Sequence, residues 1–250
     1  MKIIGVIPSR YNSTRFPGKP LVDICGKPMI WWVYNQVKKV NKIDDIVVAT
    51  DNQSIEKVCN KYEIPSIITS ENHPEHISRI HEVSEKIKAD YYLCINGDEP
   101  LIDPKSIQKI IPNDIIGEKI DFLGAMRILK NPAETIDISN IKVVVNSHNR
   151  CIYMSRNPIP CPKGSLMFNY YKYIGIECFT KSALDFFINT PIGNLEKIED
   201  IDHLRFIENN IEIKFNLVES DSISVDTPKD LEKVREIIKD KIEKGLLSNE

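Results

Sequence analysis

Apolar residues in the first half of the chain follow two alternating patterns. Short apolar runs typical of β-strands come first in each pair: KIIGVIPS, DIVVAT, SIITS and DYYLCIN. Each is followed by a segment with apolar residues at helical spacing: PMIWWVYNQVKKV, DNQSIEKVCNKY, ISRIHEVSEKIK and DPKSIQKII. This repeated order predicts an α/β fold with a mainly parallel sheet and helices on both faces. Pro28 and Pro104 suit a first helical turn, and Asp51 and Asp103 are candidate N-caps.

The pattern changes after about residue 120, where strand-like runs follow one another with few helices between them. These runs are DFLGAMRIL, IKVVVN, RCIYMSR and YKYIGIECF, and they predict mixed or antiparallel additions to the sheet. One helix, LEKIEDIDHLRFIENN, and one strand, IEIKFNLVES, lead to a charged amphipathic C-terminal helix with Asp226 or Thr227 as its cap. We therefore predict a single domain over 1–250 with a smaller β-rich lobe at about 121–214.

Composition and charge narrow the class of protein. The 250 residues are 42% apolar and 28% charged, with a formal net charge of -3. Such a chain can bury a full core, and its charge argues against a general nucleic-acid binder. The sequence has no run of about 18 apolar residues, and IIGVIP is too short for the core of a signal peptide. We expect a cytoplasmic protein without a membrane partner.

The cysteines and histidines do not form a recognisable motif. Six cysteines occur without a C-x-x-C pair, several of them within apolar runs, and the five histidines have no metal-binding spacing. Buried free thiols are the favoured interpretation, and a disulfide framework or a zinc site is the alternative.

A turn-rich loop, SRYNSTRFPGKP, leaves the end of the first apolar run and carries Arg10, Arg15 and Lys19. Ser13, Thr14 and backbone N–H groups add hydrogen-bond donors, so the loop suits a polyphosphate. In open parallel sheets ligands bind beyond the carboxyl ends of strands, which is where this loop begins. The alternative is a solvated loop with surface arginines. Neither G-x-x-x-x-G-K-[ST] nor G-x-G-x-x-G is present, which disfavours P-loop NTPases and dinucleotide dehydrogenases.

Two carboxylates at other strand ends are candidate ligands for a divalent cation. Asp98 follows an apolar strand in the turn GDEP, and Asp226 stands between a strand and a helix in SVDTP. Mg²⁺ needs only one or two protein carboxylates when phosphates and water complete its coordination. For Asp226 the alternative is a purely structural role as a helix cap.

Taken together, these segments resemble the 3-deoxy-D-manno-octulosonate cytidylyltransferases, also called CMP-Kdo synthetases. The matching residues are IPSRYNSTRFPGKPLVDICGKPMI, IVVATD, NGDEPLI, IKVVV, MSR, IGI, LEKIEDIDHLR and SVDTPKDLEKVR, in order and over nearly the whole chain. The resemblance implies a Rossmann-like, GT-A-like nucleotidyltransferase fold with a mainly parallel sheet. It also implies a nucleotide-binding part at about 1–120 and 215–250, and an acceptor and dimerisation lobe at about 121–214.

The same resemblance implies an activity and a set of site residues. The activity is Mg²⁺-dependent transfer of CMP from CTP to a Kdo-like 2-keto sugar acid with release of pyrophosphate, for surface polysaccharides such as lipopolysaccharide or capsule, in a homodimer. The implied nucleotide contacts are Pro8, Arg10, Ser13, Thr14, Arg15, Lys19, Thr69, Arg79 and Asn96, with Arg10, Lys19 and Asp98 as catalytic residues. Asp98 and Asp226 would hold Mg²⁺. The implied acceptor contacts are Asn96, Arg156, Tyr173, Glu177 and Glu196.

Several residues depart from the family pattern. The stretch Ser-Gly-Thr-[Asp/Glu]-Arg is replaced by EHISR, in which only Arg79 remains. Asn96, Tyr173 and Glu177 stand where the family has Gln, His and Tyr, all on the acceptor side. A carboxylate at Glu177 would repel a sugar acid unless Lys172 or another cation pairs with it. Either the acceptor has changed, for example to one with an amino group or a phosphonate, or Glu177 points into solvent.

Three other functions remain open. The first is a cytidylyltransferase for a different anionic acceptor, such as an amino-sugar acid, a phosphonate or another capsule precursor. The second is a non-catalytic nucleotide-binding protein, which the joint presence of Arg10, Arg15, Lys19, Asp98 and Asp226 disfavours. The third is a glycosyltransferase, for which the GDEP turn is a poor substitute for a D-x-D metal motif.

Overall fold

The computed structural model describes residues 1–12, 16–114, 121–165, 167–220 and 222–249. Its strands are β1 (Ile3–Ser9), β2 (Asp23–Ile24), β3 (Lys27–Pro28), β4 (Asp45–Thr50), β5 (Ser66–Ile68), β6 (Tyr91–Ile95), β7 (Phe122–Ile128), β8 (Lys142–Val145), β9 (Cys151–Ser155), β10 (Tyr171–Phe179) and β11 (Ile213–Leu217). Its helices are α1 (Met29–Val37), α2 (Gln53–Lys61), α3 (His76–Lys86), α4 (Pro104–Ile110), α5 (Pro132–Ile136), α6 (Lys181–Asn189), α7 (Asn194–Glu199), α8 (Leu204–Glu208) and α9 (Pro228–Glu243).

Within the described residues, nine strands form one sheet in the order β11-β7-β10-β6-β1-β4-β5, with β8 and β9 attached at β10. The strands β6, β1, β4 and β5 are parallel, as the alternation of strands and helices predicts. β10 runs antiparallel between β6 and β7, and β11 is parallel to β7. The expected mainly parallel α/β sheet with antiparallel additions is therefore confirmed. Two strands of the predicted lobe, β7 and β10, lie in the central sheet itself.

Helices cover both faces of the sheet because side chains on each buried strand alternate between two cores. On β6, Tyr91 and Leu93 face a core that includes apolar residues of α1, α2 and α4. Tyr92 and Cys94 face the opposite core, to which α3, α6 and α8 contribute. A third, smaller core joins α9 to α1 and the β2–β3 hairpin. Described helices include none long and apolar enough to cross a membrane.

The helix ends follow capping chemistry, with two differences from the expectation. Asp103 caps α4 and Thr227 caps α9, the latter in a capping box with Asp230. Asn52 caps α2 instead of Asp51, because its side chain accepts the N–H of Ser54. Pro28 is the residue before α1 rather than part of its first turn. Since Thr227 takes the capping role, the carboxylate of the preceding aspartate is available for other contacts.

Three parts of the second half differ from the sequence-based expectation. The single helix predicted over LEKIEDIDHLRFIENN is two short helices, α7 and α8, since Asp200 adopts a left-handed conformation with φ 53°. Helices α5 and α6 were not predicted from the pattern; Thr180 caps α6 immediately after β10. Of the six free cysteines, Cys59, Cys94 and Cys178 are buried as expected, whereas Cys161 is exposed.

Candidate active site

The main candidate site is a pocket of about 370 Å³ beyond the carboxyl ends of β1 and β6. At this point the chain connections diverge, since β4 lies on one side of β1 and β6 on the other. Such a switch point is where open α/β sheets bind ligands. The pocket is lined by Pro8, Ser9, Arg10, Lys19, Pro20, His73, Pro74, Glu75, His76, Arg79, Asn96, Gly97, Asp98, Asp200, Asp202 and Asp226.

A closed loop brings Lys19 from the end of β1 back into the pocket. The N–H of Gly18 donates to the carbonyl of Tyr11 over 2.9 Å, and Gly18 adopts φ 69°, a left-handed conformation that glycine allows without strain. Arg10 is exposed on the pocket wall. Three further predicted contacts of this loop, Ser13, Thr14 and Arg15, lie outside the described residues.

Lys19 joins two carboxylates that are far apart in the sequence. Its Nζ lies 2.7 Å from Asp98 Oδ2 and 3.5 Å from Asp226 Oδ1. The two acidic segments are also tied together by the backbone, since the N–H of Val225 donates to the carbonyl of Asp98 over 2.9 Å. The structure thus places the lysine and both predicted metal ligands in one cluster.

The residues of this cluster fit a hard divalent cation. Asp98 Oδ1 is buried, yet it accepts no hydrogen bond from the part of the chain that the structure describes. A buried carboxylate oxygen without a partner is costly, and a cation at this position would satisfy it. Mg²⁺ prefers carboxylate oxygens and retains positions for phosphate and water, so Asp98 and Asp226 suit it.

Arg79 lies on the opposite wall and is almost fully buried, at 3% exposure. Its guanidinium donates to Asp51 Oδ2 at 3.0 Å and to Thr69 Oγ1 at 2.5 Å. Thr69 is itself buried and is not among the described lining residues. In this structure Thr69 is therefore placed to orient Arg79, while Arg79 reaches the pocket surface.

Asn96 projects into the pocket because the adjacent strand leaves room for it. Gly175 on β10 faces Asn96, and a Cβ at that glycine would lie 2.2 Å from Asn96 Nδ2. The N–H of Asn96 also donates to the carbonyl of Gly175 over 3.0 Å. The glycine thus sets the position of one predicted contact of both substrates.

Replacing Gly175 with alanine tests this arrangement. The added methyl group would push Asn96 into the pocket, so we expect KM for the acceptor to rise about tenfold to a hundredfold, since small displacements of positioning groups have effects of this size. Stability should also fall, because Cγ and Cβ of Asn96 lie 2.6 and 2.9 Å from the same position and Cβ cannot move away by side-chain rotation alone. Gly164→Ala is the matched control, since nothing lies within 4 Å of its Cβ. An unchanged acceptor KM in Gly175→Ala would contradict the role of Asn96.

The structure corrects the expectation that Glu177 points into solvent, and the groups that pair with it are histidines rather than Lys172. The side chain is completely buried, and its partners are two histidines and a tyrosine. His76 Nε2 lies 2.8 Å from Oε2, His203 Nε2 lies 2.5 Å from Oε1, and the hydroxyl of Tyr173 donates to Oε1 at 2.7 Å. Glu177 is not among the described lining residues of the pocket, whereas His76 is.

The protonation of this group follows from its contacts. Burial alone would raise the pKa of Glu177, but the adjacent His76 and His203 lower it well below its usual value. Burial alone would lower the pKa of His76. The charge of the Glu177 carboxylate and its hydrogen bond to His76 together more than offset this effect, and the pKa of His76 is raised to about 9. The negative charge of Glu177 is therefore compensated inside the protein.

Two other predicted acceptor contacts have side chains that are bound to other parts of the protein. Neither Arg156 nor Glu196 appears among its described lining residues. The Arg156 guanidinium donates to the carbonyls of Glu199 and Asp200, both at 2.7 Å, and so lies beside the pocket rim. Glu196 is buried and forms a two-pronged ion pair with Arg205, at 2.5 and 2.7 Å. Its carboxylate is fully occupied in this structure.

Sequence reasoning did not select several residues that line the pocket. Glu75 and His76 come from the segment noted only as a departure from the family pattern, and His73 lies two residues before that segment. Asp200 and Asp202 lie in the break between α7 and α8, which the continuous helical periodicity concealed. The two aspartates are the signal that could have indicated a loop there, because aspartate favours turns and tolerates the left-handed conformation.

Comparison with known proteins agrees with this geometry. A family model described as cytidylyltransferase matches residues 4–213. The 3-deoxy-manno-octulosonate cytidylyltransferase of Koribacter versatilis is 36% identical over 245 residues, covering 96% of this chain and 91% of that protein. The enzyme of the same name from Escherichia coli is 34% identical over 237 residues, covering 95% and 96%.

A solved structure supports the same assignment. The structure of CMP:2-keto-3-deoxy-manno-octonic acid synthetase complexed with CTP matches with a TM-score of 0.91 and 33% identity, covering 96% of this chain and all of that one. The likeness therefore extends over nearly the whole chain. The fold is therefore a nucleotidyltransferase fold, and the chain is an enzyme that belongs to the cytidylyltransferases, in the CMP-Kdo synthetase family.

Proposed function

We propose that this enzyme transfers CMP from CTP to the anomeric hydroxyl of a Kdo-like 2-keto sugar acid and releases pyrophosphate, with Mg²⁺ as its cofactor. The observation that carries the proposal is the cluster of Lys19, Asp98 and Asp226 at the switch point of the sheet. The names of the similar proteins, one of them in complex with CTP, support the choice of nucleotide and acceptor.

The reaction needs positioning and charge compensation rather than a covalent nucleophile. The acceptor oxygen forms a bond to the α-phosphorus of CTP while the bond from that phosphorus to the bridging oxygen breaks, and the hydroxyl proton is released. Lys19 and Arg10 supply positive charge on the side where the phosphates would lie. Held by Asp98 and Asp226, Mg²⁺ would neutralise phosphate charge and lower the pKa of the attacking hydroxyl.

Because of its contacts, the Glu177 carboxylate would not repel the carboxylate of a sugar-acid acceptor. The Glu177 side chain is completely buried, and the adjacent His76 supplies compensating charge because the pKa of His76 is raised to about 9. A Kdo-like carboxylate would therefore meet the exposed edge of His76 rather than a bare anion. The proposed acceptor contacts within the pocket are Asn96 and His76, with Arg156 beside the rim.

A second acceptor class is favoured by a different observation. Glu75, Asp200 and Asp202 line the pocket in addition to the proposed metal ligands. Carboxylates on this wall would bind an ammonium group, so a sugar acid bearing an amino group is the alternative acceptor. The transfer chemistry would be the same.

Pyrophosphate release tests the proposal directly. The purified enzyme is assayed with CTP and Mg²⁺, with and without Kdo, and with UTP, ATP and GTP in place of CTP. We expect release only when CTP, Kdo and Mg²⁺ are all present. If Kdo fails but an amino-sugar acid supports release, the second acceptor class is correct. If no nucleotide binds, the proposal is wrong.

We also propose a homodimer formed through the lobe at 121–214. In the described part of this lobe several large apolar side chains are exposed, among them Ile136, Ile138, Ile152 and Met167, the last at 95%. A dimer interface in this lobe would remove such side chains from water. Sedimentation velocity is expected to show a dimer that Ile152→Asp weakens, with Ile68→Asp, outside the lobe, as control. A monomeric wild-type chain at micromolar concentration would contradict this proposal.

A further inference from the structure

A cluster of metal-binding side chain types lies under the pocket, on the face of the sheet covered by α3 and α8. Cys94 on β6 and Glu177 on β10 are directly opposite each other in the antiparallel register. Residues paired in this way project on the same face of the sheet. His76, the first residue of α3, closes the group from the pocket side. Three separate elements thus contribute one side chain each.

The three potential ligand atoms are close enough to share one ion. His76 Nε2, Cys94 Sγ and a Glu177 carboxylate oxygen all lie within 4.8 Å of one another. Cys94 and Glu177 are completely buried, and the His76 side chain is 24% exposed. Access to the cluster is therefore through the pocket, past the histidine ring.

We propose that His76, Cys94 and Glu177 bind one divalent transition-metal ion of the zinc class, with the fourth coordination position facing the pocket. A thiolate, an imidazole and a carboxylate are the ligand types of zinc, and three protein ligands with an open fourth position are typical of zinc sites that contact a substrate or water. On binding, the protons of the Cys94 thiol and of His76 Nε2 pass to solvent.

The groups around the three ligands support this assignment. His203 and Tyr173 both hold Oε1 of Glu177, which leaves Oε2 directed at His76. The other ring nitrogen of His76, Nδ1, lies 3.6 Å from Asp202 Oδ2. Metal-binding histidines commonly direct their second nitrogen at a carboxylate, and metal-binding carboxylates are themselves hydrogen-bonded. The hydrogen bonds from Tyr173 and His203 fix the orientation of Glu177, and Asp202 lies near the second ring nitrogen of His76.

Two other charged clusters do not combine a thiol, an imidazole and a carboxylate. Asp98 and Asp226 offer only oxygen, which suits Mg²⁺ rather than zinc. His81, Glu85 and Asp185 also have ligand atoms within 4.8 Å of one another, but that group is more exposed and Lys181 contacts all three residues. That group also contains no thiol, the ligand type that most favours zinc over Mg²⁺. The proposed site is thus distinct from the proposed Mg²⁺ site, and it does not depend on the proposed function.

Zinc and cobalt binding test the inference on the intact enzyme. Under reducing conditions and in millimolar Mg²⁺, the wild type is titrated with Zn²⁺ by calorimetry and with Co²⁺ by absorption spectroscopy. We expect one equivalent of each ion and a near-ultraviolet charge-transfer band from thiolate to Co²⁺. Cys94→Ser should abolish the band, and His76→Gln should weaken Zn²⁺ binding about a hundredfold.

Matched variants separate the cluster from other sites. Cys178→Ser removes a buried thiol from the strand that also carries Glu177. Because Cys178 faces the opposite core, the charge-transfer band should persist in this variant. Asp98→Asn should also retain the band, which distinguishes failure of the Mg²⁺ proposal from failure of this one. If the wild type did not bind one equivalent of Zn²⁺, or if the charge-transfer band were unchanged in Cys94→Ser, the proposed zinc site would be wrong. The three side chains would then form a metal-free hydrogen-bonded cluster.

Discussion

Asp98→Asn is expected to lower kcat/KM for CMP transfer by about a thousandfold. The substitution keeps the size of the side chain but removes the charge from the buried oxygen that has no hydrogen-bond partner among the described residues. Loss of a single group that stabilises charge in a transition state has effects of about this size. Pyrophosphate release at saturating CTP and several Mg²⁺ concentrations measures the change.

The control for this variant is Asp240→Asn, which removes an exposed carboxylate from α9 where it pairs with Lys244. It should retain wild-type activity. If Asp98→Asn were as active as Asp240→Asn, the carboxylate would not be a metal ligand, and the proposed role of the cluster would have to be abandoned. A raised Mg²⁺ requirement with partial activity would support metal binding at this position.

Glu196→Gln is expected to destabilise the folded protein by about 3–5 kcal/mol, because it leaves the buried Arg205 without its counter-charge. The guanidinium has few other ways to compensate: it donates to the carbonyl of Phe187 and its centre lies 3.7 Å from the ring of that residue. For a chain of this size the loss corresponds to a fall in Tm of about 10 °C or more.

Two further variants separate stability from acceptor binding. Glu236→Gln, an exposed change on α9, should leave Tm unchanged. Glu196→Leu combined with Arg205→Met should recover much of the lost stability, since apolar pairs often replace buried ion pairs without loss. If Glu196→Gln retained the wild-type Tm while raising the acceptor KM, Glu196 would contact the acceptor, and its ion pair would open in the complex.

The periodicity of the chain was sufficient to predict the parallel part of the fold. Each strand of that part is a short apolar run followed by a helix with apolar residues at helical spacing, so local pattern and tertiary position agree. The position of the site followed from the same pattern, because the ends of β1 and β6 meet at one edge of the sheet. Arg10, Lys19, Asp98 and Asp226 were found in this way, and the structure brings them to one pocket.

The remaining features depend on contacts between distant segments. The partners of Glu177 come from α3 and α8, and no spacing in the sequence indicates that His76 and His203 meet it. The break at Asp200 is likewise hidden, because apolar residues on both sides continue the helical period. In both places tertiary packing overrides the local pattern.

The small core that joins α9 to the rest of the molecule has a consequence for biosynthesis. Val225, Leu231 and Val234 pack against Met29 and Trp32, near the beginning of the chain, and this contact holds Asp226 at the pocket. During translation the first part of the sheet can form while the segment after residue 220 is still in the ribosome. The nascent chain would then have the segment that carries Lys19 but lack Asp226, one of the two proposed metal ligands. If that proposal holds, activity would begin only after the last helix has docked.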